Sequence, residues 1–382
     1  MELRLNEEER LLVDMVRDFA EKELRPTAAE RDKTGTFPLE VFQQMAGLGL
    51  IGMTIPEEYG GSGIGAVPLA LTMMEVARGD ASVAVTLSVT NMVAECIYRF
   101  GSEEQRKRFL PKICKGPWPV GAFCLTESDA GSDAGHLNTR AVRKGSDYII
   151  NGSKIFISSG AWSSEYIVMA RTSDTDSGPG GVSAFVVERG TEGMNVGKEE
   201  HKMGLRGSNT VELHFDNCRV PVENMLGREG DGFKVAMAAL DGGRIGVASQ
   251  AYGVGMAVLD AVREYAHQRI QFGKAIGEFQ GIQFKIANMA TELEAARLMI
   301  LQAASMKDAG VNFTKQASMA KLFASEAANR AAKEGVQIYG GYGYSEEYVV
   351  ARLFRDVKVT TIYEGTSEVQ RIVIARETFK EG

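Results

Sequence analysis

Hydrophobic positions change their spacing twice along the chain. Over residues 1–117 apolar side chains recur every three or four positions, as in helices that bury one stripe. The segment MELRLNEEERLL opens an amphipathic helix with Leu12, Val16 and Phe19 on one face, and Pro26, Pro38, Pro56 and Gly101 break the run. Over 118–226 the period falls to two. In VELHFDNCRV the apolar Val211, Leu213 and Phe215 alternate with Glu212, His214 and Asp216, the pattern of a half-buried strand. DYIINGSKIFIS sets Asn151-Gly152 between two β-prone runs, which predicts a hairpin turn there. SDTDSGPGG, 173–181, reads as a loop joining two strands. Over 227–382 the helical period returns in long segments such as FTKQASMAKLFASEAANRAAKEGVQ. The prediction is a mainly α chain in three parts: a helical domain (1–117), a β domain (118–226) and a helical bundle (227–382). Strands do not alternate with helices, which argues against a doubly wound sheet.

Composition narrows the chemistry. The chain has 382 residues, 44% hydrophobic and 24% charged, ordinary values for a globular protein of two or three domains. A formal net charge of −7 argues against a nucleic acid as the main partner. No stretch approaches the roughly 18 consecutive apolar residues of a membrane span. The acidic start lacks a basic segment followed by an apolar run, so no secretory signal is expected and the predicted location is the cytoplasm or an organellar matrix. Cysteines at 96, 114, 124 and 218 form no CxxC pair and read as buried, reduced thiols. Histidines at 136, 201, 214 and 267 form no ligand pair, so no catalytic metal is expected.

One motif is set aside. Gly47, Gly49 and Gly52 fit GxGxxG, but a helical pattern precedes them where a dinucleotide fold needs a strand; they read as a helix end and turn. CLTESDAGSDAG, 124–135, leaves a strand with small residues, hydroxyls and free backbone donors that can lie against a flat polar ring. KIFISSGAW, 154–162, can add a second wall, with an aromatic face from Phe156 or Trp162 and a hydroxyl from Ser158, although Phe156 alone reads as core. LDGGRIG puts paired glycines beside Arg244 in a helical region, so something must approach that backbone closely. HQRIQFGKAIGEFQ reads as a turn between two long helices, and VQIYGGYGYS as a glycine-capped helix end. In VTTIYEGTSEVQR a single acid, Glu364, precedes a helix start where Ser367 and Gln370 stand at capping-box spacing. By itself it reads first as an ordinary solvated loop charge, the commoner case, and alternatively as a base held against a substrate.

CLTESDAGSD, NGSKIFIS, MGLRGSNT, DGGRIGVASQ, RIQFG, QIYGGYGY and IYEGTSEVQR, in this order along nearly the whole chain, resemble the acyl-CoA dehydrogenase family, most closely its short-chain, butyryl-CoA branch. The resemblance implies a helical, β-barrel, helical fold assembled as a homotetramer. It also implies FAD, an acyl-CoA substrate dehydrogenated to the trans-2-enoyl-CoA in β-oxidation, and electron-transfer flavoprotein as electron acceptor. Glu364 would take the α-proton while a hydride goes to flavin N5. Phe123, Leu125, Thr126, Gly131 and Ser132, with Phe156, Ile157 and Ser158, would contact the flavin. Arg269, Phe272 and Gln280, with Gln337, Ile338, Gly340 and Gly341, would reach FAD across a subunit interface; Thr366, Ser367 and Glu368 would bind its adenylate side. Ser132, Asp241, Gly242, Gly243, Arg244, Tyr363 and Gly365 would line the acyl-CoA path, and residues near Thr90, Asn91, Tyr252 and Tyr363 would surround the acyl terminus. Ser128 departs from the family pattern, standing where proline is usual, while Phe156 holds a position where Trp or Phe is common. Branches that carry their base just before the arginine are excluded by Gly243. A cyclic or dicarboxylic acyl-CoA, an oxygen-using relative and a non-catalytic flavoprotein are the competing readings.

Overall fold

A computed structural model describes residues 5–173 and 175–380. The first part is helical: α1 (Glu7–Phe19), α2 (Arg25–Thr34), α3 (Leu39–Gly47), α4 (Ala66–Gly79), α5 (Ala81–Phe100) and α6 (Glu103–Lys115). The start of α1 is fixed by an Asn6–Glu9 capping box, while Met1–Arg4 of the predicted opening turns lie outside the described residues. α3 ends at Gly47, and Gly49 and Gly52 have positive φ, so the GxGxxG match is a helix end and turn.

Then come β1 (Gly121–Cys124), β2 (Arg140–Lys144), β3 (Asp147–Ser158), β4 (Glu165–Arg171), β5 (Val182–Glu188), β6 (Met194–Glu199), β7 (Thr210–Pro221) and β8 (Met225–Leu226). They form one eight-stranded sheet in the order β6-β7-β3-β2-β4-β5-β8, with β1 parallel to β4. The period-two pattern divides the central strands between two cores. Ile167 and Met169 of β4 and Val182, Ala184 and Val186 of β5 join the core of the first helices. Tyr166 and Val168, with Phe185 and Val187, fill the opposite side. The segment 173–181 does connect the paired strands β4 and β5; its Asp174 lies outside the described residues.

The hairpin expected at Asn151-Gly152 is absent. β3 runs straight through it, and the turn lies earlier, at Gly145-Ser146 between the paired Lys144 and Asp147. Gly152 sits instead at a register shift against β7, where a Cβ would come within 2.6 Å of Thr139 Oγ1. The Asn-Gly signal therefore marks a bulge.

The last part holds α7 (Gly232–Gln268), the small hairpin β9 (Ile270–Gln271) and β10 (Lys274–Ala275), α8 (Gln280–Asp308), α9 (Thr314–Tyr339), α10 (Val349–Val357) and α11 (Ser367–Phe379). α7 packs against α4, α5, α8 and α9 and so ties the bundle to the first helices. Both α5 and α7 are long and apolar enough to cross a membrane, but 78% and 72% of their apolar windows are buried, which marks core helices.

Asn91 on α5 does not face an open pocket. Its Oδ1 accepts from the Gly52 and Met53 N–H groups (2.9 and 3.0 Å) and its Nδ2 donates to the Leu50 and Leu87 carbonyls (3.2 and 3.1 Å). Thr90 is likewise fully buried, its Oγ1 taking the Gly121 N–H. Asn91 thus anchors the turn after α3 to α5. Replacement by leucine strands two buried N–H groups; Asn91→Leu is expected to lower unfolding free energy by about 2–5 kcal/mol in chemical denaturation. A loss below 1 kcal/mol, roughly that of a neutral surface change, contradicts this anchoring role.

Candidate active site

Glu364 and Gly365 both have left-handed backbone conformations, φ +53° and +85°. A glutamate there is disfavoured, so the surroundings must hold it. Gln370, one turn into α11, donates to the Glu364 and Gly365 carbonyls at 3.0 and 2.9 Å. Lys321 of α9 donates to the Gly365 carbonyl at 2.7 Å, and the Tyr363 hydroxyl bonds to Gln250 of α7. The cap of α11 is Thr366, whose side chain accepts from Val369 N–H; Ser367, expected to play that part, bonds to Glu326 instead. A Cβ at Gly365 would lie 2.7 Å from Gln370 Nε2, so this clamp also requires glycine.

The clamp turns the Glu364 side chain toward α7. Its Oε2 is buried and has no hydrogen-bond partner among the described residues. A Cβ on Gly243 would lie 2.6 Å from that oxygen, which is the close approach foreseen from the paired glycines. Arg244 and Lys321 stand near but are engaged elsewhere. Arg244 binds Asp241 and Ser318, while Asp241 also accepts from Thr314. Burial pushes the Glu364 carboxyl up to about 7, opposed by the positive charges of Arg244 and Lys321. Burial in turn lowers Lys321 to about 8, against the attraction of Glu364.

This carboxylate opens on a cavity of about 720 Å³ between the sheet, α7 and α11. Phe123, Leu125, Thr126, Gly131 and Ser132, then Phe156, Ile157 and Ser158, form one wall; Asp241, Arg244, Tyr363, Glu364 and Gly365 form the other. Phe156 is not core: it has φ +56°, lies in a register shift of β3, is 60% exposed and lines the cavity. Trp162 is not part of the wall, being stacked on Phe37 at 5.1 Å. An aromatic ring, small residues and hydroxyls around a cavity of this size suit a flat polar ring system.

Sequence reading missed what holds the wall. Glu127, 6% exposed, accepts from the Asn138 and Thr139 N–H groups (2.5 and 3.0 Å) and from fully buried Lys154 (2.6 Å). Lys154 also donates to the Leu125 carbonyl. The acid of CLTES and the lysine of SKIF could have been paired only by knowing that their strands adjoin.

Other predicted residues lie apart from this cavity. Arg269, Ile338, Gly340 and Gly341 line a separate pocket of about 470 Å³ with Tyr339 and Tyr342. Phe272 projects from the β9–β10 hairpin, 95% exposed, and Gln280 begins α8. Gln337 is exposed near the end of α9, while Thr366, Ser367 and Glu368 sit at the start of α11 behind the clamp. Gly242 and Gly243 line a third, small cavity, and Tyr252 borders none of the three.

Comparison with known proteins agrees with the helical, β, helical order of the chain. Family models of the acyl-CoA dehydrogenase N-terminal, middle and C-terminal domains match residues 6–117, 122–218 and 230–379. An acyl-CoA dehydrogenase of Bacillus subtilis is 50% identical, covering 98% of each chain. Butyryl-CoA dehydrogenase of Megasphaera elsdenii superposes with a TM-score of 0.97 at 46% identity, over 99% of this chain and 100% of that one. A chain solved in work on the electron transferring flavoprotein of Acidaminococcus fermentans gives 0.97 at 45% identity, with 100% of both chains covered.

Lys321→Met removes a cation that favours the ionised carboxyl, so Glu364 is expected to bind its proton still more tightly. Infrared difference titration against Glu364→Gln measures this directly. An unchanged or lowered midpoint contradicts the electrostatic role, and Lys321→Arg should restore the original one.

Proposed function

The chain belongs to the acyl-CoA dehydrogenase family, oxidoreductases that act on CH–CH bonds with FAD, and from that premise we propose that it converts a short acyl-CoA to the trans-2-enoyl-CoA with Glu364 as base. The observation that carries this reading is the Glu364 carboxylate itself: buried, unpartnered, held in a left-handed conformation and open to the cavity.

An α-proton beside a thioester is a weak acid, and a carboxylate in water is a weak base for it. Burial narrows that gap by making the Glu364 carboxylate bind a proton more tightly. Arg244 and Lys321 limit the effect, so the group still ionises near neutral pH. The clamp of Gln370, Lys321 and Tyr363 fixes the direction of attack, which spares the orientational cost of bringing base and substrate together. Gly243 and Gly365 leave room for the thioester beside the base. FAD, which the Phe123–Ser132 and Phe156–Ser158 wall would hold, supplies the acceptor for the hydride leaving the β-carbon. With FAD held by that wall, the substrate would lose one proton to Glu364 and one hydride equivalent from the β-carbon, leaving the double bond.

We propose electron-transfer flavoprotein as the next acceptor, a reading supported by the similarity to a chain solved in work on such a flavoprotein. Assembly as a homotetramer accounts for the exposed Phe272, Phe284, Tyr344 and Phe379 of the last part. In that assembly the pocket around Arg269 and Gly341, with Gln280, Gln337 and Thr366 to Glu368, would serve the outer portions of FAD.

Two outcomes test the base. Glu364→Gln should keep its FAD and its affinity for CoA esters, yet lose roughly 10²–10⁴-fold in the rate of flavin bleaching on anaerobic mixing with butyryl-CoA. Near-normal bleaching rules out Glu364. Because only the carboxylate can accept the proton, bleaching by the wild type should also rise with pH through about 7 and then level off. A rate that falls across that range, or stays flat, contradicts the assignment.

A further inference from the structure

Past the carboxylate lies a smaller cavity of about 30 Å³, lined by α4, α5, α7 and the end of α8. Ser88 and Met92 line both this cavity and the large one, so they form the wall where the two meet. Ser88, Met92 and Glu95 follow one another down a single face of α5. At the far end the Glu95 carboxylate bonds to Lys307 Nζ at 2.5 Å. Both side chains are largely buried, 16% and 13% exposed. Gly242 makes way for the lysine, since a Cβ there would come within 3.1 Å of Nζ.

We propose that the Glu95–Lys307 pair is the floor of the acyl site and restricts the substrate to a short, uncharged acyl group. This rests on the dehydrogenase reading and adds what selects the substrate. An acyl chain placed with its α-carbon at Glu364 points past Gly243 toward the Ser88–Met92 wall. Beyond it there is space for about one water-sized group before the pair. A longer chain must separate two mostly buried charges, which costs more than burying another methylene returns. An acyl group ending in a carboxylate meets Glu95 as well as Lys307, and the paired lysine has little charge left to offer it.

The test compares FAD-loaded wild type with two variants. In the wild type, kcat/KM should fall by at least tenfold from butyryl-CoA to hexanoyl-CoA, and further to octanoyl-CoA and glutaryl-CoA. The double variant Glu95→Leu, Lys307→Met removes both charges at similar volume; its hexanoyl-to-butyryl ratio should rise at least tenfold. Glu95→Gln leaves Lys307 without its anionic partner and should raise the glutaryl-to-butyryl ratio instead, a change that a merely loosened pocket would not produce. Wild type that accepts octanoyl-CoA as well as butyryl-CoA overturns the floor without any variant. So do unchanged ratios in folded, FAD-bound variants. Bleaching by none of the esters, in wild type or variants, overturns the dehydrogenase reading and this inference with it.

Discussion

The site depends on one close approach, that of the Glu364 carboxylate to the backbone of α7 at Gly243. Any side chain at that position would begin 2.6 Å from the carboxylate oxygen and push it aside. Adjacent glycines in the middle of a helix oppose its intrinsic stability. α7 tolerates them because its conformation is fixed by packing: it runs for 37 residues with α4, α5, α8 and α9 against it. The bundle therefore comes first, the bare stretch of helix second, and the acid fits into the opening. Gln250, one helix with Gly243, completes the link by bonding Tyr363 on one side and the Ala81 carbonyl on the other.

Two buried glutamates show how partners decide what such an acid can do. Glu127 has two backbone N–H groups and Lys154 around it, and these donors hold its carboxyl below the usual range despite the opposing effect of burial. Glu364 is surrounded by cations whose hydrogen bonds go elsewhere, Arg244 to Asp241 and Ser318, Lys321 to the Gly365 carbonyl. It receives their field without their donors, and burial dominates. The first acid is a fixed structural charge that shapes the loop on the cavity wall. The second keeps an affinity for a proton, which is the property its proposed role as base requires.

The architecture was legible in the sequence because the period of the apolar positions reports the element directly. The shift from three-and-four to two and back is what separates the helices from the sheet. The paired glycines at 242 and 243 were legible too, since their cost in a helix demands a close neighbour. What the sequence could not convey was the identity of that neighbour, 121 positions away by number, as 364 − 243. The family resemblance indicated Glu364, and Gln370 stood out only as a capping residue, but the Lys321 contact and the Glu127–Lys154 pair join elements that no local pattern connects. Local signals also misled where tertiary contacts overrode them. Asn151-Gly152 has hairpin chemistry, yet the proximity of Thr139 and the register against β7 make it a bulge. Asn91 looked like a polar group for a ligand and is consumed by four backbone partners.

The same two glycines also set the scale of the site. Successive residues on a helix differ by about 100° in direction and 1.5 Å in height. Gly243 clears space for the acid, and Gly242, one step back, clears space for Lys307. The proposed base and the proposed floor of the acyl cavity are thus spaced by neighbouring positions of one helix. Neither can move toward the other without shifting a helix whose flanks are packed along its length. A change in the depth of the acyl cavity must therefore come from the side chains that close it, Ser88, Met92 and the Glu95–Lys307 pair, because the helix that positions the chemistry cannot yield.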